Sequence, residues 1–300
     1  YIVLGFDFAV LTAIILAIVL LFIAMLNNIK NNRRRKRLVG FILILLLTLS
    51  IVGVVAFCVF VIYIKGIADH KFKVSKLDTA EISIIYDKDN KEITKLGSEQ
   101  REKVSYDELP EVLVDAIIAT EDSRFFQHNG FDAPRFLKAA VGQVLGNNDA
   151  GGASTLSMQV VKNSFTDAKA TSGVEGITRK FEDIYLAVYK LEKKYTKEQI
   201  IEYYVNNHFL GGNIYGVEEA SQTYFGKSAT DLNLAEAATI AGMFQSPNFY
   251  RPNVNPINAT ARRKTVLYLM RKHGYITKEE EEIANSIPME SLTSNTTVKE

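Results

Sequence analysis

A mainly α-helical domain behind a transmembrane helical hairpin is what this sequence predicts, on three observations. Tyr1 to Leu26 and Leu38 to Ile64 are two apolar runs, each longer than the roughly 20 residues that cross a bilayer. A short basic stretch separates them. After Lys65, apolar residues recur at helical spacing along most of the chain.

In the first run Asp7 is the only charge, and the second has none. A soluble helix of that length keeps a polar face, so buried core helices are the weaker reading. Asn27 to Arg37 holds Lys30, Arg33, Arg34, Arg35, Lys36 and Arg37. A short loop this basic stays in the cytoplasm, which puts everything after Lys65 on the outer face of the membrane. The net charge of +1 hides the asymmetry: 35 basic residues less those six leaves 29 against 34 acidic, a balance of −5. An acidic exterior argues against a nucleic-acid partner. Cys58 is the only cysteine and lies within the second run, so neither a disulfide framework nor a cysteine metal site is available. The chain opens on Tyr1 without a methionine or a cleavable signal pattern and reads as a fragment.

Residues 66–108 are expected to be a connector: polar from Gly66 to Thr79, then a small hairpin over Ile82 to Tyr86 and Glu92 to Leu96. The domain proper is expected over residues 109–285, and a helix that starts at Asp107-Glu108-Leu109-Pro110 runs through about Thr120. Phe131 to Leu145 is a second helix, whose stripe of Phe136, Leu137, Ala140, Val141, Val144 and Leu145 reads as core packing, or as lipid contact close to the bilayer. Gly146 to Gly152 is loop, Ser154 to Lys162 helix, and Ser164 to Thr178 a mobile, glycine-bearing segment. Arg179 to Asn206 reads as two helices that meet near Tyr195-Thr196-Lys197, before a break at Gly211 to Gly216. Further helices follow at Val217 to Tyr224, Leu232 to Met243 and Ala259 to Lys272, and the polar residues 286–300 read as a linker.

The chemistry concentrates between Ala119 and Asn163. Glu121 and Asp122 end a helix, at the unfavourable pole of its dipole. A Glu-Asp pair is ordinarily a solvated face, but Phe125, Phe126 and His128 follow at once. A carboxylate so placed suits a general base. Gly151-Gly152 leads to Ser154-Thr155, a helix start whose N–H groups can hold an anion, or which Ser154 simply caps. Lys162 follows two turns on, a cation for a phosphate or an ordinary surface lysine. Arg179-Lys180 precedes Glu182-Asp183, whose side chains diverge by about 100°, so only one of the two acids can face a given cleft. Together, on a membrane-tethered exterior domain, these residues suggest chemistry on a lipid-linked phosphate.

At this point the chain resembles a known family. Glu121 to Gly130 is similar to the first signature of the peptidoglycan glycosyltransferases, the transglycosylase domain of class A penicillin-binding proteins and monofunctional transglycosylases. Gly152 to Asn163 resembles the second, and Arg179 to Ala187 the third. Tyr204-Val205-Asn206 with Gly211 to Gly216 and Tyr224 to Lys227 resembles the fourth, and Leu234 to Ala237, Ala241-Gly242, Pro247, Tyr250 and Pro252 the fifth. The likeness covers about Leu109 to Met270.

The resemblance implies a lysozyme-like glycosyltransferase fold with a small membrane-proximal lobe. It implies that the protein polymerises lipid II into peptidoglycan glycan strands, by inverting β-1,4 transfer with release of undecaprenyl diphosphate. Glu121 would then be the base and Asp183 the second carboxylate, with Asp122, Phe125, Ser154, Thr155, Gln159, Lys162, Arg179 and Lys180 as substrate-binding residues. No metal-ligand set is implied, although some members use Mg²⁺ or Mn²⁺ at the diphosphate. Its partners would be lipid II, the growing strand, the membrane, and proteins of cell-wall synthesis or division. Met158 stands where a glutamine is usual, Ala153 replaces a glycine, Lys138 an arginine, and Asp183 a glutamate. Ala187 to Leu191 runs one residue longer than usual, and a paired membrane hairpin replaces the usual single anchor. The sequence holds no Ser-x-x-Lys or Lys-Thr-Gly, so no transpeptidase signature accompanies the domain. Two other readings remain: a lysozyme-like hydrolase that cuts glycan, and a scaffold whose site has drifted at Met158 and Asp183.

Overall fold

A computed structural model describes residue 20 and residues 33–77, 83–86, 92–96, 102–144, 152–166 and 172–294. The chain divides into two compact units, Tyr1–Gly66 and Ile67–Glu300. The first expected membrane helix lies outside the described residues, apart from a helical Leu20. The second is α1, Arg33–Lys71. It is long and apolar enough to cross a membrane, and its most apolar window has nothing buried against protein. Two boundaries differ from expectation. The cations Arg33 to Arg37 form the first turn of α1 rather than a loop, and the helix continues through Lys71, past the expected connector start at Gly66.

Two short strands follow, β1 (Ser83–Tyr86) and β2 (Glu92–Leu96), paired antiparallel with an irregularity between Ile85 and Tyr86. Beyond them the described chain is helical. A 3₁₀ turn at Tyr106–Glu108 leads through Pro110, in extended conformation, into α2 (Glu111–Glu121). Proline before the first helical residue forbids an uninterrupted helix from Asp107, since it disfavours helical backbone at Leu109. One face of α2 buries Leu113, Ala116, Ile117 and Ile118.

Next come α3 (Ala133–Val144), α4 (Leu156–Ser164) and α5 (Gly173–Leu186). On α3 the expected core stripe is overturned at Leu137 and Val141, which are 62% and 56% exposed. The segment read as mobile is helical from Gly173 onward, and residues 167–171 lie outside the described residues, as do 145–151. After α5 the backbone widens into a π-helix over Ala187–Leu191, then a helical turn at Glu192–Lys194. A π turn takes in one additional residue without breaking the helix, and it falls on the same residues where the resemblance implies a longer register.

The remaining helices are α6 (Lys197–Asn207), α7 (Val217–Phe225), α8 (Leu234–Met243), α9 (Pro256–Lys272), α10 (Lys278–Ser286) and α11 (Met289–Leu292). Every residue of α8 from Ala235 to Met243 is buried, and it packs chiefly on α9 and α2. The tail is not a linker up to Ser294. Met289 and Leu292 are buried, and the Ser294 N–H donates to the Tyr224 carbonyl at 2.9 Å.

One turn holds α2 against the π segment. Gly130 has φ +84°, and a Cβ there would lie 2.9 Å from the Ala187 carbonyl carbon. Both the left-handed backbone and the missing side chain are therefore required. Gly130→Ala is expected to cost about 1–3 kcal/mol, read as a lower melting temperature than the parent's in the same detergent; an unchanged melt would show that the turn can yield.

Candidate active site

Glu121 is the last residue of α2, and the chain turns sharply after it because Asp122 is in a non-helical conformation. Asp122 has no solvent exposure. Its carboxylate lies 3.1 Å from His128 Nε2 and accepts from the Leu156 N–H at 3.0 Å. Arg135 closes the turn from outside: its guanidinium donates to the carbonyls of Glu121 and Gly152, each at 2.7 Å. The anion at the start of α4 is thus Asp122 itself, a carboxylate on a helix N-terminus. Thr155, not Ser154, caps α4, its Oγ1 accepting from the Met158 N–H and donating to the Gly130 carbonyl.

These contacts bring Glu121 over one face of α4. Gln159 Nε2 donates to Glu121 Oε2 at 2.9 Å, and the Tyr204 hydroxyl donates to the other end of the same amide at 3.3 Å. The two contacts fix which way that amide faces. Arg262 is close enough to feel the Glu121 charge and donates from Nε to the Gly242 carbonyl at 3.2 Å.

Glu121 opens on a cleft of ≈ 390 Å³, lined also by Ser154, Gln159, Lys162, Arg179, Lys180 and Asp183. Lys162 and Gln159 are three residues apart and share a face of α4. Arg179, Lys180 and Asp183 come from α5. Lys180 donates to Ser154 Oγ at 2.6 Å. Burial pulls the Lys180 ammonium below its ordinary range, and although Asp183 counters this, Arg179, Lys162 and Arg135 push it further down. Arg179 Nε and Nη1 are buried and have no hydrogen-bond partner among the described residues. Crowded cations with idle donors make a site for an anion.

Asp183 belongs to this cleft, and Glu182 does not. Glu182 is buried away from it, with its carboxylate 2.5 Å from Lys71 Nζ. Asp183 is 3% exposed and accepts from the Thr166 hydroxyl at 2.8 Å. Burial pushes its carboxyl up to about 6, against the opposing pull of that bond and of Arg179, Lys180 and Lys162.

Of the residues expected to bind substrate, Ser154, Gln159, Lys162, Arg179 and Lys180 line the cleft together. Asp122, Phe125 and Thr155 do not: each is fully buried, Phe125 beneath the Lys197 ammonium at 4.1 Å from the ring centre. The sequence reading missed Asn163, His208, Phe244 and Gln245, which with Met158 complete the lining. His208 is pushed down to about 4, chiefly by burial, which keeps it neutral; it packs edge-on against Phe244. Its place two residues beyond Asn206 was the available signal. Asp122, His128 and Asp132 offer ligand atoms within 4.8 Å of one another, but Arg124, Arg135 and the Leu156 N–H already engage the two acids. That group is a hydrogen-bonded clasp.

A helical cleft lined by a carboxylate and by crowded cations can take a proton and hold an anion in one operation. Its lineage agrees. The family model for transglycosylases matches residues 89–271, and the chain belongs to the transglycosylase family. It is 39% identical over 253 residues to penicillin-binding protein 1A/1B of Bacillus subtilis, covering 82% of this chain and 26% of that protein. Penicillin-binding protein 1A of Streptococcus oralis is 40% identical over 72% of this chain and 33% of its own length. The chain therefore spans between a quarter and a third of these curated relatives. A crystal structure of penicillin-binding protein 1A from Haemophilus influenzae aligns over 70% of this chain and 21% of that one, at 27% identity and a TM-score of 0.40.

The position of Asp183 makes a stability prediction. A carboxyl raised to about 6 in the folded state costs nothing below its ordinary value of 3.8, and the cost is complete above about 6. Asp183→Asn should therefore stabilise the protein at pH 8 by up to about 3 kcal/mol and leave it unchanged near pH 3.5. Thermal melts of both proteins across that range check it, and a variant less stable than the parent at pH 8 would contradict the assignment.

Proposed function

We propose that this protein polymerises lipid II into peptidoglycan glycan strands on the outer face of the membrane, tethered there by α1. The observation that carries the reading is the shared cleft, which Glu121 lines together with Arg179, whose Nε and Nη1 have no partner among the described residues, and the crowded Lys162 and Lys180. Glu121 takes the proton from the acceptor sugar's 4-hydroxyl. That oxygen attacks the anomeric carbon of the donor on the face opposite the diphosphate. The bond from the anomeric carbon to the diphosphate oxygen breaks, and the electron pair leaves with undecaprenyl diphosphate. An α-linked diphosphate thus becomes a β-1,4 glycosidic bond, the inverting logic of glycosidases with a sugar hydroxyl in place of water.

Gln159 holds the Glu121 carboxylate in one orientation, with Tyr204 fixing the amide behind it. Lys162, Arg179 and Lys180 hold the departing diphosphate, and preorganised charges of this kind act on the charge that develops as the bond breaks. Asp183 is the second carboxylate, set among those cations to keep them oriented. Asp183 is the cleft carboxylate that would hold a Mg²⁺ or Mn²⁺ ion if one accompanies the diphosphate. Such an ion would add charge neutralisation to the leaving group.

Lys162, Arg179 and Lys180 favour a transferase over a glycan hydrolase, because a hydrolase releases no diphosphate to neutralise. Labelled lipid II distinguishes them. The parent should build long glycan and leave preformed glycan intact; cut preformed glycan would establish the hydrolase instead. Glu121→Gln should lower polymerisation by at least about 10²-fold, the lower end of what a positioned acid or base contributes. Polymerisation at the parent's rate in that variant would refute the assigned base.

A further inference from the structure

The last turn of α1 carries more polar structure than a membrane anchor requires. Lys71 Nζ lies 2.5 Å from the Glu182 carboxylate. Two residues earlier, Asp69 meets Lys190 Nζ at 2.8 Å and accepts from the Tyr185 hydroxyl at 3.2 Å. Just past the helix, the Phe72 ring packs on Phe165 with centroids 4.9 Å apart. Ala68 is fully buried. All of these residues lie in the unit Ile67–Glu300.

What they grip is specific. Phe165 is the C-cap of α4, one turn beyond Lys162. Glu182 lies between Arg179-Lys180 and Asp183 in α5, turned about 100° from Asp183 and out of the cleft, and Lys190 lies in the π segment that extends the helix. The two helices that supply every cleft cation on α4 and α5 are therefore held by one short stretch, none of which lines the cleft. A buried carboxylate such as Glu182 is retained at a cost unless it is paired, and among the described residues it is Lys71, from that stretch, that pairs with it.

We propose that Asp69, Lys71 and Phe72 form a positioning clasp that sets the spacing between α4 and α5, and so the gap between Lys162 and Arg179 that receives the diphosphate. The end of the anchor helix is then part of the transfer machinery as well as a tether. This rests on the reading of the cleft as a diphosphate site.

The test uses the full chain in detergent, with inorganic pyrophosphate as the probe in calorimetric titrations and lipid II polymerisation measured alongside. Glu182→Leu and Asp69→Asn each remove a negative charge, which can only lessen repulsion of an anion in the cleft. Charge alone would therefore tighten pyrophosphate binding. A loosened clasp does the reverse: both variants should bind pyrophosphate about tenfold more weakly, within the range by which residues remote from a ligand modulate affinity. Turnover should fall in parallel, while the melting temperature of Asp69→Asn, a partly exposed position, stays near the parent's. Should Glu182→Leu fail to fold, Asp69→Asn decides the matter. Binding as tight as the parent's, or tighter, in folded Asp69→Asn would overturn the clasp. A parent that binds pyrophosphate but makes no glycan would sink the polymerase reading alone, and the clasp would still be judged by the titrations. A parent that binds no pyrophosphate would overturn both.

Discussion

The buried carboxylate of Asp122 is the constraint on which the site depends. A charge with no solvent exposure is tolerated only when its lone pairs are satisfied, and here His128, the Leu156 N–H and Arg135 satisfy them. Each partner comes from a different piece of chain, so meeting that demand joins the end of α2 to the start of α4 and to α3. Glu121 is the neighbour of Asp122 and has little freedom once that junction is made. The Glu121 carboxylate is aimed into the cleft by the structural carboxylate beside it.

A second tension shapes the other end of the cleft. Lys162, Arg179 and Lys180 repel one another, and Asp183 is buried among them at a cost that burial, more than any neighbour, imposes. The fold holds these groups together through the packing of α4 and α5, with Asp69 and Lys71 of α1 in contact with α5 and Phe72, just beyond α1, in contact with Phe165 at the end of α4. Stability is spent on a crowded cluster with unpartnered Arg179 donors, which is the usual sign of a site organised for a ligand. Around Glu121 the logic is gentler, with neutral Gln159 and Tyr204 orienting its carboxylate.

Much of this was legible along the chain. The helix that ends at Glu121, the break at Gly211 to Gly216 and the buried α8 follow from apolar spacing and glycine placement. The cleft's cations were found because they cluster in short signatures. What escaped depends on contacts distant in sequence. Glu182 and Asp183 are adjacent and chemically alike, and the residue that separates their roles is Lys71, 111 positions away. Ser154 looked like the cap of α4, but Lys180 engages its hydroxyl and Thr155 takes the place. Met289 and Leu292 are too few, among polar neighbours, to announce that the tail packs into the core. His208 became visible only when α6 and α8 brought it beside Phe244. Exposed Leu137 and Val141 mark the reverse error, a helical stripe that periodicity alone assigns to a core.

A crystal structure with a non-reactive lipid-linked diphosphate sugar tests the central claim most directly. The diphosphate should lie within hydrogen-bond distance of Arg179 Nε and Nη1 and of Lys162, with the anomeric carbon turned toward the Glu121 end of the cleft. A diphosphate seated elsewhere, with Arg179 still unengaged and Glu121 remote from the sugar, would contradict the account.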